Sequence, residues 1–406
     1  MTTTSAGSPA GATPSSVGTV LVGTFNEPGS AEPLLPASGG LIATTGWPED
    51  PEVLAGTGPD AASWLVRGRP GTPSAGWLYA ALHLEEGAVA VLSPAEDHQR
   101  SPQHDVGWVA SQRIAAGGSF TCHADLNPAG DWLAAASYGS GTLTIASVLE
   151  DGLLGDPVAV QAPSGSGPVP SRQEAPHLHF VLFLDDDRLL VTDLGADRML
   201  EYSIAALRAA AADKRGDSGA VDADGALAAA VHVEPVAVHP LPAGTGPRHL
   251  AVLPPLPDAG IDAQHLAVVG ELDSRLHILD LGEELQEVAI VPTHAPDADP
   301  ETTQDNQPSH LVLSADHHLI YVANRGRNTI GVIRRAGPPE LIAEVPCGGN
   351  WPRHIALAEF GENGTLLVAL ERGDAVVGLP LDRDGIPGRP AGRVTLRRPG
   401  FLLPSA

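Results

Sequence analysis

Cysteine is scarce in this chain: only Cys122 and Cys347 occur among 406 residues. Two cysteines close at most one bridge, which excludes a disulfide framework and a cysteine-rich metal site. We expect two reduced, partly buried thiols. The first residues, MTTTSAGSPAGATPSS, have neither the basic nor the apolar segment of a secretory signal. No apolar run approaches the roughly 20 residues that span a bilayer. We therefore expect a cytoplasmic protein without a membrane partner.

Positive charge and aromatic residues are also scarce. The sequence has 23 Lys and Arg against 49 Asp and Glu, a net charge of −26, and only 4% of its residues are aromatic. Such a surface repels the phosphates of nucleic acids and anionic lipids, so neither is an expected partner. The low aromatic content also disfavours a chain that serves only as a protein-interaction scaffold. We expect a small-molecule partner and a monomer or weak homodimer.

Glycine and proline are abundant, and they separate many short apolar runs. The chain has 46 Gly and 38 Pro. Runs such as TVLVGTF, GTLTIASV, RLLVTDLG and TLLVALERG are seven to nine residues long with their flanking polar residues. Many come in pairs with a polar turn between them, which is typical of β-hairpins. ALRAAAADKRG, from Ala206, resembles a helix within a surface insertion over 206–232, and residues 1–17 have the composition of a disordered tail.

Five stretches align on their histidines. Each has a histidine, an apolar run, a polar turn, a second apolar run, a polar or glycine corner and a third run. The histidines are His123, His179, His249, His310 and His354. Two degenerate copies precede them, which gives about seven modules. Repeats of 40–60 residues with about four short strands indicate a β-propeller. We predict an all-β, seven-bladed β-propeller over residues 18–406, closed by pairing TVLVGTF, from Thr19, with GRVTLRR, from Gly392.

The repeat collects unusual chemistry, because equivalent strand starts meet at one end of a propeller channel. The opening positions carry His123, His177, His179, Arg248, His249, His310, Arg353 and His354. The corner positions carry Tyr138, Asp193, Glu271, Asn324 and Arg325. A repeated histidine often hydrogen-bonds within its own blade, so each imidazole alone has a structural explanation. Arginine and glutamate are rarely buried unless paired or functional, which favours a site around Arg248, Glu271 and Arg325.

The order of motifs resembles a known family. CHADLNPAGDWLAAASYGSGTLTI, PHLHFVLFLDDDRLLVTDLGADRMLEY and GPRHLAVLP followed by VVGELDSRLHI are similar to patterns of the bacterial 6-phosphogluconolactonase family of seven-bladed propellers. That family also includes the fungal 3-carboxy-cis,cis-muconate lactonizing enzyme. YVANRGRNTIGV and GGNWPRHIAL are close to further family patterns, and the likeness runs from Gly118 to Leu381. The resemblance implies a lactonase, with 6-phospho-D-glucono-1,5-lactone as the foremost substrate.

The resemblance also implies the catalytic residues. In the fungal branch a histidine, two arginines and a glutamate at one channel mouth take part in the chemistry. By motif these are His179 in PHLH, Arg248 in GPRH, Glu271 in GELDS and Arg325 in ANRG. Three departures surround them: Gly270 replaces the family's asparagine, an insertion separates Arg248 from Glu271, and the turn FLDDDRL is one residue short.

Several roles stay open at this stage. The general base is His179 or Glu271, and the arginines suit a phosphate, a carboxylate or an oxyanion. The expected substrate-binding residues are His123, His177, Asp193, His249, His310, Asn324, Arg353 and His354. No cofactor is expected. Asp193, Glu271 and Asn324 resemble the calcium ligands of other propeller lactonases, but two nearby arginines oppose a dication, so no metal is expected.

Two other functions remain as alternatives. A cycloisomerase would interconvert a carboxylated muconate and its lactone, with the arginines on carboxylates. A non-catalytic scaffold would need exposed aromatics on its rim and no converging charge in its channel. The sequence leaves open whether the loop APSGSGPVPSRQE, from Ala162, covers the pocket.

Overall fold

The computed structural model describes residues 18–25, 40–94, 107–217, 232–282, 284–297 and 305–405. Within them, 28 strands form seven antiparallel sheets of four strands each. Three strands of blade 7 are β1 (Val20–Thr24), β2 (Leu41–Thr45) and β3 (Glu52–Thr57). Blade 1 comprises β4 (Ala62–Arg67), β5 (Leu78–Leu82), β6 (Ala88–Pro94) and β7 (Trp108–Ala115). Blade 2 comprises β8 (Thr121–Leu126), β9 (Trp132–Ser137), β10 (Thr142–Ser147) and β11 (Val158–Gln161).

The remaining blades follow in chain order. Blade 3 comprises β12 (Leu178–Phe183), β13 (Arg188–Asp193), β14 (Arg198–Ser203) and β15 (Ala237–Pro240). Blade 4 comprises β16 (Pro247–Leu253), β17 (His265–Gly270), β18 (Arg275–Leu281) and β19 (Leu285–Pro292). Blade 5 comprises β20 (Gln307–Leu313), β21 (Leu319–Arg325), β22 (Thr329–Arg334) and β23 (Glu340–Pro346). Blade 6 comprises β24 (Pro352–Ala358), β25 (Thr365–Leu370), β26 (Ala375–Pro380) and β27 (Gly392–Thr395), and β28 (Pro399–Pro404) completes blade 7.

The architecture is the predicted seven-bladed propeller. Each blade runs outward from its first strand, and blade 7 combines β28 from the end of the chain with β1 to β3 from its beginning. The predicted role of TVLVGTF is confirmed, since β1 pairs with β28 over Val20–Thr24. The role given to GRVTLRR is wrong. Gly392–Thr395 is the outermost strand of blade 6, and the next segment, Pro399–Pro404, closes the ring.

The core lies between neighbouring blades. One cluster joins Leu143 and Val160 of blade 2 to Leu189 and Val191 of blade 3, and all four side chains are buried. Alternate residues of one strand belong to different clusters because successive side chains point to opposite faces of a sheet. A blade therefore buries both faces only when it has a neighbour on each side.

The predicted insertion begins with a helix. Helix α1 (Ile204–Asp217) follows β14, and Ile204 and Leu207 pack into the cluster between blades 2 and 3. Residues 218–231 of the insertion and the predicted tail 1–17 lie outside the described residues. Among the described helices, none is long and apolar enough to cross a membrane.

Each innermost strand has an irregular start. In all seven blades the pairing register shifts within the first residues of the inner strand, or opposite them in blade 7. A bulge of this kind bends the strand and re-aims side chains. Two consecutive residues consequently reach the channel in each blade, a floor residue and a plug residue.

The floor residue directly follows the last paired residue before the shift. The floor residues are Ser63, Cys122, His179, Arg248, Ser309, Arg353 and Gly400. The plug residue comes one position later. The plug residues are Trp64, His123, Phe180, His249, His310, His354 and Phe401. The Pro-Arg-His triplet occurs at 247–249 and at 352–354, and each copy supplies one floor arginine and one plug histidine.

The histidine alignment is wrong for blade 3. His179 is a floor residue, whereas the other four aligned histidines are plug residues. The turn after β12 has four residues, 184–187, and the equivalent turn of blade 2 has five, 127–131. That shorter turn gives His179 and His123 the same 14-residue spacing to their corners, Asp193 and Ser137, although they occupy different positions.

Candidate active site

The plug residues close the channel below the site. The Trp64 ring contacts the rings of the six others, with centroid separations from 4.1 Å to 5.8 Å. His310 stacks on His354 at 4.1 Å, and His123 stacks on Phe180 at 3.6 Å. Aromatic rings in offset or edge contact stabilise one another beyond the area they bury. The channel therefore ends in a layer of rings, and a ligand has room only on one side of it.

The pocket lies above this layer, between floor residues and a second ring. This second ring, called the rim, has one residue from each blade. In each blade, the last inner-strand residue that is paired before the register shift has a partner on the neighbouring strand, and the rim residue directly follows that partner. The rim residues are Phe25, His83, Tyr138, Leu194, Glu271, Arg325 and Glu371. The cavity has a volume of about 300 Å³ and is lined by His83, Cys122, Tyr138, Arg172, His179, Arg248, Glu271, Arg325 and Arg353. All four predicted catalytic residues meet here.

Glu271 is the centre of the charge arrangement. Its Oε2 atom lies 2.9 Å from Arg248 Nε and 2.6 Å from Arg325 Nη2, and its Oε1 atom accepts a hydrogen bond from Arg172 Nη2. Burial alone would raise the pKa of the Glu271 carboxyl group. The charges of Arg325, Arg248 and Arg172 outweigh burial and hold this pKa well below its ordinary value. Glu271 is thus a fixed carboxylate that orients guanidinium groups.

Two of these guanidinium groups meet Glu271 as ion pairs whose hydrogen-bond alignment is poor. Arg248 Nε and Arg325 Nη2 are close to Glu271 but make no aligned hydrogen bond to any described residue, and both atoms are buried. Arg248 is held from below, since its Nη1 atom donates to Ser309 O and to His249 Nε2, the latter at 2.8 Å. Its orientation is therefore fixed by Ser309 of the floor, by His249 of the plug and by Glu271. Buried N–H groups without a partner are rare in native proteins.

His179 is a neutral imidazole beside these arginines. It is 6% exposed, and within the described chain its Nδ1 atom has no hydrogen-bond partner. Burial lowers the pKa of His179 well below its ordinary value, and the Arg248 charge lowers it further, while Glu271 acts in the opposite direction. Near neutral pH the ring is uncharged, with a nitrogen available to accept a proton.

Cys122 contributes a thiol to the floor. Burial raises the pKa of the Cys122 thiol to about 12. A thiol with such a pKa stays protonated, whereas nucleophilic cysteines act as thiolates. Cys122 and Cys347 are both free and buried. Cys122 thus forms part of the pocket surface, without the properties of a nucleophile.

Arg172 and His83 are pocket residues that the sequence motifs did not reveal. Arg172 belongs to the loop from Ala162, and its Nη2 atom contacts Tyr138 Oη at 3.4 Å as well as Glu271. This loop therefore reaches the pocket. A lone arginine in a Ser/Gly/Pro-rich stretch has no repeat signal. His83 does occupy the rim phase of blade 1, but the degeneracy of that repeat in the sequence concealed it.

Three predicted substrate-binding residues make local bonds outside the pocket lining. Asp193 accepts hydrogen bonds from the His177 backbone N–H and from Arg198 Nε, each at 2.9 Å. His177 stacks on Tyr138, and its Nδ1 atom bonds to Tyr138 O. Asn324 donates to Thr293 O at 2.7 Å. Asp193 and Asn324 precede their rim positions by one residue, which explains their orientation.

The four plug histidines among the predicted binding residues lie below the pocket. His249 and His354 line a narrow space of about 10 Å³ between floor and plug. His123 and His310 line neither space, and His310 Nδ1 is 2.8 Å from His249 Nδ1. Because Arg248 donates to His249 Nε2, His249 Nδ1 carries the hydrogen and donates it to His310. These imidazoles hold the floor in place from below.

The described residues contain no cluster of three or more His, Cys, Asp or Glu side chains arranged to hold a metal ion. Asp193 is bonded to Arg198, Glu271 is surrounded by three arginines, and Asn324 is bonded to Thr293. These three side chains therefore do not form the oxygen cage that calcium requires.

A larger cavity lies at the opposite end of blades 5 and 6. Its volume is about 630 Å³, and its lining includes Asp316, Glu359, Asp382 and Asp384. All four of these acidic residues are exposed or half-buried. Buried groups with perturbed pKa values converge in the smaller pocket, which is the signature of a functional site.

Removing the Glu271 charge should destabilise the fold strongly. Glu271→Gln leaves three guanidinium groups without their counter-ion, and breaking a buried ion pair costs about 3–5 kcal/mol. Urea unfolding should show a decrease of this size in the free energy of unfolding, and added sulfate should restore part of it. Glu340→Gln is the matched control, because Glu340 pairs with Arg334 on the exposed surface and such pairs contribute about 1 kcal/mol or less. Equal losses in the two variants would contradict this account of Glu271.

Comparison with known proteins decides the family. The model of the lactonase family with a seven-bladed β-propeller matches residues 49–385. The chain belongs to this lactonase family. The resemblance drawn from the motifs is thereby confirmed. Among curated relatives of this lactonase, the 6-phosphogluconolactonase of Bacillus subtilis is 29% identical over 288 residues, which cover 69% of each chain. The 6-phosphogluconolactonase of Formosa agariphila is 24% identical over 64% of this chain and 67% of its own.

Solved structures agree with the fold of the lactonase. A periplasmic gluconolactonase of Pseudomonas aeruginosa matches with a TM-score of 0.73 and 20% identity, covering 96% of this chain and 99% of its own. A putative 6-phosphogluconolactonase of Bacteroides fragilis matches with a TM-score of 0.72 and 18% identity, covering 98% of this chain and 100% of its own. At these identities the likeness concerns the fold alone.

Proposed function

We propose that this lactonase hydrolyses an anionic sugar lactone, 6-phospho-D-glucono-1,5-lactone, to 6-phosphogluconate. One observation carries the proposal. His179 Nδ1 is buried at the pocket without a hydrogen-bond partner among the described residues, and the Arg248 and Arg325 guanidinium groups, both ion-paired with Glu271, line the same pocket. An acceptor for a proton and two donors for an oxyanion are the groups that lactone hydrolysis requires. The names of the curated relatives support the choice of substrate.

In the proposed first step, His179 activates water. The neutral imidazole accepts a proton from a water molecule as the water oxygen attacks the lactone carbonyl carbon. The Glu271 charge favours the imidazolium ion that forms. Glu271 is less suited as the base, because both of its carboxylate oxygens already contact guanidinium groups, whereas His179 Nδ1 has no hydrogen-bond partner among the described residues. We therefore assign the base to His179 and the orientation of the arginines to Glu271.

The arginines act on the negative charge that develops. As the carbonyl oxygen becomes an oxyanion, the Arg248 and Arg325 guanidinium groups donate N–H hydrogen bonds to it. The tetrahedral intermediate then collapses, and the bond from the carbonyl carbon to the ring oxygen breaks. The ring oxygen takes the proton from His179, which gives a hydroxyl group and restores the neutral imidazole. Water is consumed, and the product is the open-chain acid.

The charge of the pocket supports an anionic substrate. Four guanidinium groups and one carboxylate line it, an excess of three positive charges inside a chain with a net charge of −26. A phosphate dianion together with a developing oxyanion would balance this excess. Local positive potential also attracts an anion that the acidic exterior repels. A role in the pentose phosphate pathway and a cytoplasmic location remain predictions that accompany this substrate.

A substrate panel tests the proposed function. Purified protein is mixed separately with fresh 6-phospho-D-glucono-1,5-lactone, with glucono-1,5-lactone and with 3-carboxy-cis,cis-muconate. We expect hydrolysis of the phosphorylated lactone well above its spontaneous rate and no change in the muconate absorbance. Conversion of the muconate alone would replace hydrolysis by cycloisomerisation. No reaction with any of the three compounds, in folded protein, would contradict the proposal.

A further inference from the structure

The pocket contains a second arginine–glutamate pair at the repeat positions of the first. Arg353 is the floor residue of blade 6 and Glu371 is its rim residue, as Arg248 and Glu271 are in blade 4. Arg353 Nη1 lies 3.0 Å from Glu371 Oε2. Blade 5, with Arg325 on its rim, lies between the two pairs. The mouth of the channel therefore has a guanidinium group on each side of Arg325.

The second pair is held differently from the first. Arg398 Nη2 lies 2.9 Å from Glu371 Oε1, so Glu371 joins two arginines. Burial would raise the pKa of the Glu371 carboxyl group, but Arg353 and Arg398 hold it down to about 2. The Arg353 guanidinium also lies 4.3 Å above the Phe25 ring. Glu371 and Phe25 thus fix Arg353, whose guanidinium still lines the pocket.

Arg353 is also close enough to affect the other arginines electrostatically. Burial lowers the pKa of the Arg248 and Arg325 guanidinium groups, and the positive charge of Arg353 lowers both further. The three guanidinium groups repel one another around one cavity. A bound anion that contacts more than one of them would offset this repulsion. Glu271 and Glu371 each already contact at least two arginines, so further negative charge must come from the ligand.

We propose that Arg353 binds a permanent anionic group of the substrate, separate from the reacting carbonyl at His179, Arg248 and Arg325, and so determines specificity. The group is a phosphate monoester or a carboxylate, because both accept paired hydrogen bonds from a planar guanidinium. This assignment rests on the proposed function. It divides the pocket into a reacting end in blades 3 to 5 and an anion-binding end in blade 6.

Arg353→Gln tests the assignment by comparing two lactones. For 6-phospho-D-glucono-1,5-lactone we expect kcat/KM to fall about 10- to 100-fold, the usual loss for a hydrogen bond to a charged group. The loss for glucono-1,5-lactone should be at least ten times smaller. Arg248→Gln should lower both values by the same factor. Arg372→Gln, next to Glu371 in sequence but exposed and outside the pocket lining, should change neither. Equal losses for the two lactones in Arg353→Gln would overturn the assignment.

Binding of simple anions separates failure of this inference from failure of the proposed function. Calorimetry with inorganic phosphate and with acetate measures the anion site without any reaction. We expect the wild type to bind phosphate more tightly than acetate, and Arg353→Gln to weaken phosphate binding at least tenfold, with Arg372→Gln unchanged. If phosphate binding depends on Arg353 but the protein hydrolyses no lactone, the proposed function is contradicted and the anion site is supported. If Arg353→Gln binds phosphate as tightly as the wild type, the assignment of the anion site to Arg353 is contradicted.

Discussion

Replacing His179 by glutamine should lower kcat for 6-phospho-D-glucono-1,5-lactone by about 10²–10⁴-fold, the usual contribution of a general base. Glutamine fills a similar volume but accepts no proton near neutral pH. The four arginines that line the pocket remain in place, so KM should change by less than threefold. Steady-state kinetics with a coupled assay for 6-phosphogluconate measures both constants.

His177→Gln is the matched control for this experiment. His177 is also buried and lies only two residues before His179, but it stacks on Tyr138 outside the pocket lining. We expect its kcat to stay within a few-fold of the wild type. A large loss in His177→Gln and none in His179→Gln would show that the base has been assigned to the wrong residue.

Mild acid should destabilise this protein strongly. Six imidazoles in the plug, floor and rim have a pKa below the ordinary value, chiefly because burial disfavours their charged form. They are His83, His123, His179, His249, His310 and His354. Their full contribution to stability is present above the unfolded-state pKa of about 6.5. It decreases as pH falls below 6.5, because the unfolded chain then binds protons that the folded chain does not.

The expected size of this effect is large. Each such imidazole removes up to about 1.4 kcal/mol of folding free energy per pH unit, until the pH reaches its folded-state pKa. For His83 and His310 that pKa is lowered to about 3, so the loss continues through the whole mildly acidic range. Six groups together would remove several kcal/mol between pH 6.5 and 5.5, against a typical total of about 5–15 kcal/mol. Thermal unfolding should shift down by about 10 °C over that unit.

The propeller repeat offers a variant that isolates one imidazole. His354→Phe places in blade 6 the residue type that blades 3 and 7 already have in the plug, Phe180 and Phe401. The free energy of unfolding, measured with urea at pH 7.0, 6.0 and 5.0, should depend on pH less steeply than in the wild type, by about 1 kcal/mol per pH unit. His232→Gln, at an exposed position, should leave the dependence unchanged. A wild type equally stable at pH 7 and pH 5 would contradict the account of the plug.

The fold followed from the sequence because its signal is repeated. Each blade contributes several short apolar runs with turns between them, so an error in assigning one run does not change the number of blades that is predicted. The ring closure was harder to predict. GRVTLRR and the segment from Pro399 are both short and apolar in part, and only the packing of β28 against β1 distinguishes the inner strand from an outer one.

The candidate site was predictable where a residue type is costly to bury. Arg248, Glu271 and Arg325 have charges that a core excludes, and they do meet at one pocket. The spacing of Asp193 and Asn324 from their histidines predicted that both would line the pocket. A shift of one residue along a strand turns a side chain to the other face, and both side chains point away from the pocket lining. The bulges that decide this orientation have no mark in the sequence. Arg172 reaches Glu271 from a loop across 99 positions of sequence, a contact that no repeat encodes.

The central claim is that the pocket hydrolyses an anionic lactone with the help of its arginines. The most direct measurement is the initial rate with freshly generated 6-phospho-D-glucono-1,5-lactone, for the wild type beside Arg248→Gln. We predict a wild-type rate well above the spontaneous one and a loss of at least 100-fold in the variant, the usual cost of one oxyanion donor. A wild-type rate equal to the spontaneous rate, or an Arg248→Gln variant as active as the wild type, would contradict the account.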